Sequence, residues 1–127
     1  MKMVVVVDRN IEIGKLANAI AHCSQGIAVD KHDEYSTSNG ITCTLSNHPI
    51  VIVAAKNASQ VKKALVSADE AKLVYSFFSS TMWRDTPIEQ VEATKATSFD
   101  ALEIIACAIY GDSKEVNNIT KRFSLFK

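Results

Sequence analysis

The sequence carries no surplus charge: 14 Lys and Arg stand against 14 Asp and Glu in 127 residues. Gripping nucleic acid through phosphate neutralisation alone requires a clustered basic surface, so overall balance argues against that class and leaves local patches. Lys56, Lys62 and Lys63 make one patch, and Lys114, Lys121, Arg122 and Lys127 another; both read as solvated helix faces. There is no Cys-x-x-Cys pair, which removes zinc-ribbon and thioredoxin-type chemistry. The three cysteines, Cys23, Cys43 and Cys107, lie among apolar neighbours without paired spacing, as reduced thiols of a cytoplasmic protein do. No Gly-x-Gly-x-x-Gly or P-loop is present, so no nucleotide cofactor is indicated, and no Gly-x-Ser-x-Gly elbow marks a serine nucleophile. His22, His32 and His48 have no partners at ligand spacing, so no metal is expected. The N-terminal apolar run is five residues, too short for a signal peptide, and no later run is long enough to span a bilayer. Repeats, low-complexity stretches and linkers are all missing, and residues 1–127 read as one domain.

What is present is alternation. Met3–Val7 is a β-branched run that predicts a central strand buried on both faces. A helix is predicted from Glu12 to about Lys31, with Leu16, Ile20, Cys23 and Ile27 on its apolar side. Beside them runs a polar stripe of Lys15, Asn18, His22 and Gln25. Lys31–Asn39 reads as a loop and Gly40–Leu45 as a short edge strand, broken by Asn47-His48-Pro49. Ile50–Ala55 predicts a buried strand, and Ala58–Glu70 a helix with Val61, Ala64, Leu65 and Ala68 inward. Leu73–Phe78 predicts another buried strand, after which Ser79–Asp85 fits no regular element. Thr86-Pro87-Ile88-Glu89 is a capping box with proline at the first helical position, starting a helix that reaches about Lys95. Leu102–Tyr110 predicts the last strand, Asp112 caps a helix to about Lys121, and the apolar tail Phe123–Phe126 should dock back. The sum is an α/β fold: a small mixed four- or five-stranded sheet with helices on both faces.

Several polar positions can carry chemistry. Asn18 and His22 lie four apart and meet on one helix face. Asn can orient a carbonyl, and His can exchange a proton near neutral pH; the alternative is a stripe that simply faces water. Cys23 sits on the apolar side, as an inert thiol would. Asp8 closes the first strand, either at a cleft rim or as a cap for the following turn. Lys15 can meet an anionic ligand or solvent. Thr81, Trp83 and Arg84 follow a strand, where ligand loops commonly form; Arg84 can hold a carboxylate or phosphate, pair with Asp85, or stack on Trp83.

Taken in order, Val4–Asp8, Gly14 through Asn18-Ala19-Ile20-Ala21, the capped Thr86-Pro87 segment, and Leu102–Gly111 with its helix through Val116 resemble the bacterial family called domain of unknown function 2000. The resemblance spans the chain. It implies the type II peptidyl-tRNA hydrolase fold and, by analogy, a homodimer. That hydrolase carries Gly-Lys-Gly-Lys and then Ala-Ala-Gln-Cys-Ser-His on its first helix, and Ala21-His22-Cys23-Ser24-Gln25 is similar to the second run. In this alignment Asn18 takes the place of the hydrolase's second lysine and Gln25 that of its histidine. Where the hydrolase has an Asp-Ala-Gly loop, Leu102–Gly111 runs into Asp112-Ser113. The leading expectation is therefore a small-molecule or peptide ligand in a cleft beside the first helix. Asn18 and His22 would do any chemistry, with Asp8, Lys15, Thr81 and Arg84 binding. Ester hydrolysis of peptidyl-tRNA, with Lys15 on phosphate, and a non-catalytic interaction module are the alternatives.

Overall fold

The computed structural model describes residues 1–27 and 32–127. Strand β1 (Lys2–Asp8) forms where the valine run predicts it, because a β-branched chain flanked by helices fits a pleated, doubly covered surface. It pairs in parallel with β4 (Ile50–Ala55) and antiparallel with β6 (Ile104–Gly111). β5 (Val74–Ser79) lies outside β6, and β7 (Ser124–Leu125) outside β4, giving the order β5-β6-β1-β4-β7. α1 (Ile13–Gln25) covers one face through Leu16, Ala19 and Cys23 against Val5, Val7 and Ile105. α2 (Ala58–Glu70) and α4 (Ser113–Thr120) cover the other, with Val61, Leu65 and Val116 against Val4, Val6 and Ile109. α3 (Pro87–Lys95) packs on a short 3-10 turn, Ser80–Met82. No helix among the described residues is long and apolar enough to cross a membrane.

The five-stranded mixed sheet with helices on both faces matches the sequence reading, and five elements depart from it. His32–Ser36, expected as part of a loop, is strand β2. It pairs with β3 (Thr42–Ser46) as a separate two-stranded hairpin, so the predicted edge strand does not join the main sheet. Every residue of β2 is exposed, which is why no apolar alternation announced it. Cys43 sits on this hairpin and is exposed, whereas Cys23 and Cys107 are buried. The first helix was expected to run to about Lys31; α1 ends at Gln25, and 28–31 lie outside the described residues. β5, expected to be buried, is an edge strand exposed at Val74 and Tyr75. β6 is not the last strand, because the docked tail forms β7 on β4.

Local chemistry fixes the boundaries. Thr86 accepts a hydrogen bond from the Glu89 amide at 3.2 Å, and Asp112 caps α4 through the Lys114 and Glu115 amides. Such caps contribute ~1 kcal/mol each. α2 ends in a Schellman motif: the Leu73 amide donates to Ala68 and the Lys72 amide to Asp69. Lys72 holds the left-handed position at φ 59°, where glycine is the usual occupant. Because a side chain there costs roughly 1 kcal/mol, Lys72→Gly should raise stability by about that amount in urea denaturation; a loss would show that the lysine makes a compensating contact.

Candidate functional site

β6 runs opposite to both β1 and β5, so β1, β4 and β5 all end at one edge of the sheet. α1 and α2 leave from that edge, which in open α/β sheets is where ligands bind. A bulge in β6 shapes it. Phe78 pairs with Ala106 and Ser79 with Ile104, leaving Ile105 without a partner on β5. Ile105 and Ala106 therefore both face α1, while Ile104 faces α2. The extra residue bends β6 where it leaves its pairing with the end of β5, next to the loop that follows β5.

That loop and the α1 stripe meet through aromatic rings. The Lys15 ammonium lies 5.0 Å from the Trp83 ring centroid. Trp83 lies 6.0 Å from Phe78, and Phe78 stacks on the His22 imidazole at 5.9 Å with a 28° interplanar angle. Phe78 is buried, so it fixes both neighbours. The Trp83 indole nitrogen is shielded from water and, among the described residues, has no acceptor. Leaving such a donor unpaired costs about 1–3 kcal/mol. Asn18 is exposed on the same helix between Lys15 and His22. Sequence reasoning singled out the helix stripe and the loop but not Phe78, whose signal was an aromatic closing a strand just before a polar loop.

The other sequence candidates have more settled surroundings. Asp8 is 4% exposed and accepts from the Asn10 amide at 3.0 Å and its Nδ2 at 3.1 Å. Asn10 also donates to the Lys56 carbonyl, so Asp8 clamps the β1–α1 turn to the β4–α2 turn. Thr81 belongs to a directed hydroxyl chain. Thr94 donates its proton to the Gln90 carbonyl, so it can only accept from Thr81, and Thr81 in turn accepts from Ser79. With its proton spent on Thr94, Thr81 anchors the 3-10 turn to α3. Arg84 is exposed and its carbonyl accepts from Gln90; Lys15, not Arg84, stacks on Trp83. Cys23 is buried beside this stripe, and burial pushes its thiol up to about 12, which keeps it protonated and unreactive. Burial pushes the Cys107 thiol up as well.

His48 occupies a different place, edge-on to Tyr110 at 5.0 Å, with both ring nitrogens unpartnered among the described residues. Removal from water, the nearby His32 and the N-terminal ammonium lower its pKa below 6.5. On acidification the unfolded chain takes up this proton first, so the His48 contribution to stability is complete above pH 6.5 and declines as pH falls below it. Denaturation curves at pH 7.5 and 5.5 should show a steeper loss in the parent than in His48→Phe; parallel losses would contradict the assignment.

The architecture is that of a mixed α/β protein. It matches a solved structure of a protein of unknown function from Agrobacterium tumefaciens strain C58, with a TM-score of 0.89 and 21% identity over 99% of this chain and 97% of that one. The family model described as a protein of unknown function, DUF2000, matches residues 1–127, and the chain belongs to that family. No curated protein matches it.

Proposed function

We propose that the α1–β5 edge binds a small molecule or short peptide bearing a carbonyl and a carboxylate. The observation that supports this is the indole N–H of Trp83, shielded from solvent and without an acceptor among the described residues, in a ring that the Lys15 ammonium overlies. A ligand carboxylate draws Lys15 off the ring and opens Nε1 to an acceptor. Asn18 orients the carbonyl, His22, steadied by Phe78, exchanges a proton, and Arg84 holds an anionic group at the open end of the loop. Asp8 and Thr81 support the site from beneath as anchors.

The same reading takes the fold as a relative of the type II peptidyl-tRNA hydrolase architecture, on the order of motifs along the chain. It places the protein in the cytoplasm, on its free thiols, and pairs it as a homodimer by family analogy. Binding ranks above ester hydrolysis because the thiol nearest His22 in sequence is protonated.

Trp83 is the only tryptophan, so its emission reports this site directly. Titration with a panel of dipeptides and N-acyl amino acids should change that emission saturably. Asn18→Ala and His22→Ala should weaken the effect by ~10-fold or more, equivalent to ~1.4 kcal/mol, with little change in thermal midpoint. Flat emission across the panel, or variants that bind as well as the parent, would overturn the proposal.

A further inference from the structure

At the opposite end of the same sheet edge, a cavity of 410 Å³ opens where β1, β4 and β7 meet. Its walls carry Arg9, Lys56, Arg122 and Lys127 and, among the described residues, no Asp or Glu. These cations come from three separate parts of the sequence. The Arg9 amide donates to the Ala55 carbonyl at 3.1 Å, which sets Arg9 beside Lys56. The Phe126 amide donates to the Ile52 carbonyl at 3.0 Å, which brings the tail alongside. Arg122 is braced over the Phe123 ring at 4.8 Å. Gln60, in the first turn of α2, accepts from the Lys56 amide and keeps its own NH2 as a donor toward this region.

In a chain with as many acids as bases, four cations around one hollow repel one another unless an anion joins them. By contrast, the cavity beside α2 that Lys62 lines also carries Asp100 and Glu103. Asp8, the nearest acid to Arg9 in sequence, is not part of the lining and is bonded to Asn10. Phe126 and Leu125 add an apolar wall. Guanidinium forks suit phosphate oxygens, the α2 N-terminus adds positive potential, and the volume lies in the range of small-molecule pockets.

We propose that this cavity binds the phosphate groups of a small phosphorylated organic molecule. It shares no lining residue with the aromatic edge, and β4, which borders it, lies roughly three strand spacings, ~14 Å, from β5. The probe is inorganic pyrophosphate at constant ionic strength, with chloride as control, read by calorimetry and thermal midpoint. Pyrophosphate should bind the parent and raise its midpoint. Arg9→Gln/Arg122→Gln should weaken binding at least ~10-fold, and the single variant Lys56→Gln should weaken it less. All three side chains are exposed and removing a cation relieves repulsion, so the unliganded variants should match or exceed the parental midpoint. No binding by the parent, or equal binding by parent and double variant, would overturn the assignment. Pyrophosphate binding that is lost in His22→Ala would also overturn it, by placing the anion at the aromatic edge. Unfractionated tRNA that displaces pyrophosphate and binds far more tightly would give the phosphate a polymer source and overturn the small-molecule assignment. Failure of the dipeptide titration leaves this experiment intact, since it does not depend on Trp83.

Discussion

Leu16→Ala and Ile109→Ala are each expected to destabilise the protein by about 2–5 kcal/mol, and the double variant by close to their sum. Leu16 is 1% exposed and packs with Val5, Val7 and Ile105 under α1. Ile109 is fully buried with Val4, Val6 and Val61 under α2. The sheet separates the two clusters, so each cavity opens without a neighbour able to fill the other, and independent sites add. Against a total stability of roughly 5–15 kcal/mol, the pair removes a large fraction. Urea denaturation checks this through the midpoint, with the slope unchanged. A double variant no weaker than the worse single one would mean that the two faces relax as one core.

The second large effect concerns Trp83. Trp83→Ala should cost ~2 kcal/mol or more, because Phe78 loses the ring beside it and Lys15 the face it lies on. Trp83→Phe keeps an aromatic ring but removes the unpaired N–H, which relieves a desolvation cost of about 1–3 kcal/mol. It should therefore equal or exceed the parent in stability while losing ligand affinity. Thermal denaturation and calorimetric titration of both variants separate the two roles. If Trp83→Phe is as damaged as Trp83→Ala, the indole nitrogen has a structural partner and the proposed site loses its support.

The main sheet was readable because its strands are apolar runs bounded by caps. The valine run, Ile50–Ala55 and the Thr86 and Asp112 caps each act locally, so local patterns reveal them. The β2–β3 hairpin was not readable, because nearly all of its residues are exposed and no apolar face marks it. The same applies to the bulge at Ile105, since an unbroken apolar strand gives no sign of which way each residue points. At the aromatic edge, helical spacing brought Lys15, Asn18 and His22 together, but the hydroxyl partner of Thr81, Thr94, lies on α3, where no local spacing could reveal it. The basic hollow was split between two lysine clusters that looked like solvated faces. Only the sheet order, which lays β7 against β4, joins Lys56 to Arg122 and Lys127.

The smallest strand has the widest consequence. β7 contributes two residue pairs to β4, Val53 with Leu125 and Ala54 with Ser124. Chains shortened before Ser124 would leave the outer margin of β4 with bare peptide groups beside the apolar Val51 and Val53 side chains. Such a margin recruits its own kind, so these chains would come out of solution as self-stacked sheets. Ser124 and Leu125 thus act as a guard on solubility.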